Sequence, residues 1–178
     1  TMRLNEVTFL LSKLREYDND TETINTFIER IGVSIDKLNI AIASGNEAWA
    51  GSLLTTFSRH LREILNESAT NQIEFSTCTT HVEHLLSLLS SINKNSWSFE
   101  ISDHKIFEMD NSRFIRSLAI MPWVADILWE AVINDKPIDY VGIEISSDSY
   151  EATYTIKFEG KEMKRSLPFI EGIRENEE

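Results

Sequence analysis

The sequence predicts an α+β fold, in which an N-terminal helical bundle of about four helices precedes a small unit of antiparallel strands with one or two helices. Before about residue 95, apolar residues recur every three or four positions, which is the spacing of one helix face. After it they alternate, as in half-buried strands. We therefore divide the chain into a helical region at 1–95, a small α+β region packed on it at 96–172, and a flexible acidic tail at 173–178.

Four apolar stripes mark the expected helices, and turn-forming residues separate them. The "DND" at 18–20 ends the first stripe, Gly45 stops the second, and Asn46 is suited to cap the third. The third helix is expected to be interrupted by "NES" at 66–68. Helices with one apolar face must cover one another, so a bundle is expected. The stripes lie at 7–14, 24–42, 49–64 and 75–92.

The second region begins with "WSFEI" at 97–101, which we expect to pair with "KIFEM" at 105–109 around a turn at 102–104. A helical segment is expected from about Ser112, with a break at Pro122, which suits the first turn of a new helix that Pro137 ends. Alternating residues then predict three antiparallel strands: "YVGIEIS" at 140–146, "YEATYTIKF" at 150–158 and "KEMKRSL" at 161–167.

The charge, the apolar runs and the cysteine count of the chain argue against some classes of function. The 178 residues carry a formal net charge of −12, which repels phosphate backbones and argues against direct nucleic-acid binding. An acidic surface suits a protein partner with a basic surface. No apolar run approaches the roughly 20 residues that span a bilayer, so no membrane partner is expected. The single cysteine, Cys78, cannot form an internal disulfide, and a reducing, cytoplasmic setting is expected.

The segment "ILWEAVINDKP" places Glu130 and Asn134 four residues apart on an expected helix. With strands before it and a hairpin after it, residues 97–158 resemble the start of the ATP-binding fold shared by gyrase and histidine kinases. The resemblance implies that Glu130 matches the water-activating Glu of that family and Asn134 its magnesium-binding Asn. Where the family has an Asp-x-Gly-x-Gly box, however, this chain has "FEGKEMK". We therefore expect neither ATP nor another cofactor to bind.

The alternative function is phosphotransfer by a degenerate form of the same fold. Some histidine phosphotransferases resemble histidine kinases that have kept a helical dimerisation part and a domain that does not bind ATP. On this interpretation His60, in "TFSRHLREIL", is the phosphoacceptor on an exposed helix face. Arg59 and Arg62 lie near the phosphate, and Glu63 is the candidate proton partner. The competing interpretation is a half-exposed histidine that flanks Leu61.

The remaining histidines are candidate metal ligands. His81 and His84 share a helix face and could bind a metal together with Glu83 or His104. Histidines beside apolar residues are more often helix-flank residues, so we expect no metal. We find no motif for a catalytic residue. That the protein is an enzyme is therefore the less favoured hypothesis.

The fourth helix carries a narrow apolar seam at steps of three and four residues, flanked by Leu86 and Leu88. Either this helix is central in the bundle, or a second copy of the chain covers it, and we favour the homodimer slightly. The seam consists of Phe75, Cys78, Val82, Leu85, Leu89 and Ile92. The sequence as a whole favours a non-enzymatic, acidic protein-binding module: a regulator, inhibitor or immunity-type protein.

Overall fold

A computed structural model describes residues 21–93, 97–105, 110 and 112–170. The expected helix at 7–14 and the tail at 173–178 lie outside the described residues, as does most of "KIFEM". The fold class is confirmed, because helices dominate the first part of the chain and strands the second. The helices are α1 (Thr21–Ala43), α2 (Glu47–Ser68), α3 (Phe75–Ile92) and α4 (Met121–Ile133). The strands are β1 (Gln72–Glu74), β2 (Ser98–Lys105), β3 (Phe114–Arg116), β4 (Tyr140–Ser147), β5 (Glu151–Phe158) and β6 (Lys161–Pro168).

The corner between α1 and α2 forms as the sequence predicts. Gly45 has a φ of 70°, the left-handed conformation that glycine adopts easily after a helix. The Asn46 side chain accepts a hydrogen bond of 3.0 Å from the backbone N–H of Trp49, which caps α2. The expected interruption at "NES" is wrong, since α2 continues to Ser68. Buried Ile64 and Glu67 hold this last turn against the rest of the protein.

Helix α3 is the central helix, which corrects the interpretation of its seam. Helices α2 and α4 both pack against it. The ring of Phe75 also meets that of Tyr154 on β5 edge to face, with centroids 5.8 Å apart. Every seam residue is at most 3% exposed within the single chain, as are Leu86 and Leu88. The expected covering of this seam by a second copy is therefore wrong, because α2, α4 and β5 already cover it.

The main sheet has the strand order β2-β4-β5-β6. The three strands β4, β5 and β6 are antiparallel neighbours, as predicted. The turn expected at 102–104 is wrong, because β2 runs through these residues and pairs in parallel with β4. Helix α4 provides the crossover that a parallel pair requires. Phe99 and Ile101 then lie opposite Val141 and Ile143, and all four contribute to the core.

A second small sheet ties the two regions together. The residues from Ser112, expected to be helical, instead lead into β3, which pairs with β1 so that Ile73 lies opposite Ile115. Ile115 is fully buried, so this long-range pairing overrides the local helical pattern. Helix α4 starts at Met121 with Pro122 in its first turn, as predicted. One hydrophobic cluster includes residues from both sides of residue 95.

None of the helices in the described part of the chain is long and apolar enough to cross a membrane.

Candidate functional site

Glu130 and Asn134 lie at the C-terminal end of α4, and their contacts are local. Asn134 is the C-cap residue, and its side-chain amide donates a hydrogen bond of 2.9 Å to the backbone oxygen of Glu130. The Glu130 side chain is 81% exposed and lies 3.4 Å from Nζ of Lys136. These contacts show that both residues belong to the exposed C-terminal end of a helix.

His60 does not lie on an exposed helix face, so that expectation is wrong. It is only 3% exposed, on the side of α2 that faces the core. A void of about 20 Å³ beside it is lined by Phe57, Leu89, Trp129 and Arg30, among others. The physical reason is the helical period: His60 lies three residues after buried Phe57 and four before buried Ile64, on the same face. In this conformation a phosphodonor cannot reach the imidazole.

Two histidine–glutamate pairs join α2 to α3. Nδ1 of His81 lies 2.5 Å from Oε1 of Glu67. Nδ1 of His84 makes a hydrogen bond with Oε1 of Glu63. The glutamates are four residues apart on α2 and the histidines three apart on α3. The two pairs therefore lie one helical turn apart between antiparallel helices. Three of the four histidines of the chain thus lie in one helix–helix interface, which we call the histidine–glutamate cluster: His60, Glu63, Glu67, His81 and His84.

Glu67 also reaches the segment before α4. Its second carboxylate oxygen accepts a hydrogen bond of 2.8 Å from the backbone N–H of Leu118. Leu118 has a φ of 53°, a conformation that costs a non-glycine residue free energy. The carboxylate of Glu67, itself 2% exposed, therefore helps to hold a strained residue between β3 and α4.

Burial shifts two pKa values of the cluster in directions that disfavour charge. The pKa of His60 is lowered to about 3, first because burial opposes the imidazolium and then because His81 and His84 repel it. The pKa of the Glu63 carboxyl is raised by burial, against the opposing effect of its hydrogen bond with His84.

The possible metal ligands do not converge. His81 and His84 face different carboxylates, whereas Glu83 points to solvent on α3. The side chain of His104 lies outside the described part of the structure. Within the described residues, no group of three or more histidine, cysteine or acidic side chains could hold a metal ion.

Cys78 packs in the apolar interior, as the seam pattern predicts. It is 3% exposed, and burial raises the pKa of its thiol strongly. The hydroxyl of Tyr154, also buried, lies 3.4 Å from Oγ1 of Thr79 beside it.

Among the described residues, part of the outer face of the main sheet is exposed. Glu144 of β4 and Lys157 of β5 are exposed on this face, and Nζ of Lys157 donates a hydrogen bond to the Glu144 carboxylate across the sheet, whereas Thr155 of β5 is buried. Tyr140 is 47% exposed on this face, and its hydroxyl donates a hydrogen bond of 2.9 Å to Glu100 on β2. This bond to a carboxylate raises the pKa of Tyr140.

The Tyr140 ring can lie against the sheet because residue 142 is a glycine and has no side chain. A Cβ atom at position 142 would stand 3.1 Å from Cε1 of that ring. The ring therefore covers the glycine, and its free side faces outward. A shallow cavity of about 210 Å³ opens on the same face, lined by Ser102, Glu144, Ile145, Ser146, Thr153, Thr155 and Lys164.

A groove lies at the corner of α1, α2 and the end of α3. It has a volume of about 610 Å³ and is lined by Ile40, Ser44, Trp49 and Asn93, among others. Nε1 of Trp49 donates a hydrogen bond of 2.7 Å to the backbone oxygen of Ser91, which closes one wall. Ile40 is 48% exposed at the rim.

The sequence analysis named Glu63 only as a proton partner of His60, and it did not find Glu67 or the pairing of either glutamate with a histidine of α3. The available signal was the combination of Glu63 and Glu67 on one helix face with His81 and His84 on the next, but only the packing of α2 on α3 shows that these faces meet. Comparison with known proteins adds no assignment: no family model matches the chain, and no curated protein matches it.

Proposed function

We propose that this protein is a non-enzymatic, acidic protein-binding module that acts as a regulator, inhibitor or immunity-type protein. The partner has a basic surface and binds the outer face of the main sheet. The observation that carries this proposal is an exposed tyrosine, Tyr140, hydrogen-bonded to a carboxylate on the outer face of the main sheet.

The chemistry of this face suits a lysine- or arginine-containing partner. Tyrosine is enriched among the residues that dominate binding energy at protein interfaces. An arginine or lysine of the partner can lie over the Tyr140 ring and reach the carboxylates of Glu100 and Glu144. The net charge of −12 favours the approach of such a surface over long distances.

The test compares two exposed tyrosines. The protein is used to capture partners from its host, and a captured basic protein is then purified and titrated calorimetrically against wild type, Tyr140→Ala and Tyr150→Ala. Tyr150 is a matched control, because it is 81% exposed but lies in the turn between β4 and β5. We expect Tyr140→Ala to weaken binding by about thirtyfold, the effect of a central interface residue, and Tyr150→Ala to leave it unchanged.

Added salt should weaken the wild-type complex, since its charges are screened. Equal affinities for wild type and Tyr140→Ala would contradict the assignment of this face. An acidic or uncharged partner surface would contradict the electrostatic part of the proposal.

A further inference from the structure

The shallow cavity on the outer face of the main sheet is built from two rows of polar side chains that cross the strands. In the first row, Thr155 of β5 lies directly opposite Glu144 of β4 and Lys164 of β6. In the second row, Ser146 of β4 lies opposite Thr153 of β5. Because neighbouring strands are about 4.8 Å apart, the long side chains of Glu144 and Lys164 form two walls around a floor of hydroxyls.

The size of this cavity suits one side chain of a partner. Its volume of about 210 Å³ is below the roughly 300–1,000 Å³ of pockets that enclose a drug-sized ligand. Thr155 at its floor is only 7% exposed, since longer side chains flank it on both sides. A side chain that enters the cavity displaces water from these polar groups and must offer them hydrogen bonds in return.

The two charged walls differ in what they offer to a ligand. Nζ of Lys164 lies 3.0 Å from Oε1 of Glu162, which does not line the cavity, so the charge of Lys164 is compensated and its aliphatic stem forms the wall. Glu144 accepts a hydrogen bond from Nζ of Lys157. An ion pair this exposed is weak, and a carboxylate has lone pairs for several donors, so Glu144 can also accept hydrogen bonds from a ligand.

The hydroxyls of the cavity favour a guanidinium over an ammonium group. Each hydroxyl oxygen has two lone pairs and can accept a further donor. The guanidinium of arginine presents five N–H donors in a planar fork, whereas the ammonium of lysine is a compact point charge. An arginine can therefore donate to Glu144 and to hydroxyls of more than one strand at the same time. The hydroxyl residues are Ser102, Ser146, Thr153 and Thr155.

Tyr140 lies beside the cavity on the same face of β4. The hydroxyl end of its ring lies over Gly142, which precedes Glu144 by two residues, a distance of about 7 Å along the strand. A side chain whose guanidinium binds Glu144 can thus pack its methylene groups on the Tyr140 ring, as the stems of long cationic side chains do on apolar surfaces.

We propose that this cavity is an arginine-binding site: the basic partner inserts one arginine, whose guanidinium donates to Glu144 and to the cavity hydroxyls while its stem packs on Tyr140. The identity of the partner rests on the proposed function, to which the cavity adds the residue that the partner presents. A lysine in the place of this arginine should bind about tenfold more weakly, because it cannot donate to both groups of acceptors.

Nuclear magnetic resonance tests the site in the full chain with a defined probe. The isotope-labelled protein is titrated with N-acetylarginine N-methylamide, and N-acetyllysine N-methylamide is the matched probe of equal charge. We expect the arginine probe to shift the backbone amide signals of Glu144, Ser146, Thr153 and Thr155, with a dissociation constant on the order of 1 mM. The lysine probe should bind about tenfold more weakly. Unshifted amides at these positions, or equal binding of the two probes, overturns the proposal.

Variants separate the carboxylate from the hydroxyls. Glu144→Gln should weaken binding of the arginine probe about tenfold. Glu130→Gln changes the net charge equally but lies on α4, with a side chain that is 81% exposed, and should bind the probe as the wild type does. Equal binding by Glu144→Gln and Glu130→Gln overturns the role of Glu144.

Thr155→Val keeps a side chain of similar shape and removes one hydroxyl. It should weaken binding of the arginine probe about fivefold and leave that of the lysine probe unchanged. Ser146→Ala, at a half-buried position, provides the same test if the amide spectrum shows that Thr155→Val is not folded. Binding as tight as that of wild type in the folded hydroxyl variants overturns the proposal.

The results for the partner and for the cavity are distinguishable. Cavity shifts with the arginine probe, together with a partner whose affinity does not depend on Tyr140, support the arginine site and contradict the proposed function. A partner that requires Tyr140 but binds Glu144→Gln and Thr155→Val as tightly as wild type supports the proposed function and overturns the arginine site.

Discussion

At the scale of single residues, burial decides what the candidate side chains can do. Histidine and cysteine can both act as nucleophiles, yet His60 and Cys78 are at most 3% exposed. Burial lowers the pKa of His60 and raises that of Cys78, which in both cases favours the neutral form. Neither is therefore suited to react with a reagent from solution while the protein is folded.

We expect no phosphorylation of His60 in the folded protein. Incubation with acetyl phosphate at neutral pH should leave the histidine unlabelled, because the imidazole is enclosed by α1, α2, α3 and α4. Phosphohistidine analysis by mass spectrometry measures this directly. Labelling of the wild type that His60→Gln abolishes would instead support the phosphotransfer alternative.

The Cys78 thiol should react very slowly with Ellman's reagent at pH 8 in the native state. Its burial hides the sulfur, and the raised pKa keeps it protonated. In urea the same thiol should react fully within minutes. Rapid and complete reaction without denaturant would show that the helix around Cys78 opens readily.

At the scale of elements, helix ends and helix centres depend on different interactions. The end of α1 and the start of α2 depend on Gly45 and the Asn46 cap, which are local in sequence. The centre of α3 depends on apolar contacts with α2, α4 and β5, which are distant in sequence.

Asn46→Ala should reduce the free energy of unfolding by about 1 kcal/mol, because the first turn of α2 loses the side-chain acceptor for the Trp49 N–H. Urea denaturation measures the difference. Asn39→Ala is the control, since Asn39 is an exposed residue inside α1 and its replacement should change stability by less than about 0.5 kcal/mol. Equal effects of both changes would mean that the cap contributes nothing specific.

Leu89→Asp should abolish cooperative thermal unfolding. Leu89 is 1% exposed, and truncation of such a leucine alone costs about 2–5 kcal/mol, to which the burial of a charge adds. Thr80→Asp, on the exposed side of α3, should melt as the wild type does. A folded Leu89→Asp monomer with the circular dichroism of the wild type would restore the interpretation of the seam as a contact between two copies.

At the scale of the whole molecule, a few long-range contacts join the helical region to the sheet. The pairing of β1 with β3 is one of them, and Glu67 is another, because it binds His81 of α3 and the backbone of Leu118. Lys37 of α1 adds a hydrogen bond of 3.0 Å to Asp135 after α4. These contacts connect segments separated by 14 to 98 positions in the chain.

Glu67→Ala should lower the free energy of unfolding by about 3 kcal/mol or more, the usual cost of removing one partner from a buried ion pair. The loss arises because His81 and the Leu118 N–H both lose their acceptor. Glu83→Ala removes an exposed glutamate of α3 and should have an effect below about 0.5 kcal/mol. A loss for Glu67→Ala as small as that of the control would show that the carboxylate does not link the two regions.

The sequence by itself determined the features that depend on neighbouring residues. The stop at Gly45, the cap at Asn46, the start of α4 near Pro122 and the alternation of β4 to β6 follow from local backbone preferences and side-chain periodicity. The apolar seam of α3 was also visible, as were the two histidines beside it.

Only the tertiary structure decided which of these faces meet. The seam alone is equally compatible with a second copy and with a central position, and packing against α2, α4 and β5 selects the central position. The parallel pairing of β2 with β4 and the pairing of β1 with β3 join residues about 40 positions apart, which no local pattern specifies. The burial of His60 and the two histidine–glutamate pairs arise in the same way, because the environment of a titratable side chain is set by neighbours in space rather than in sequence.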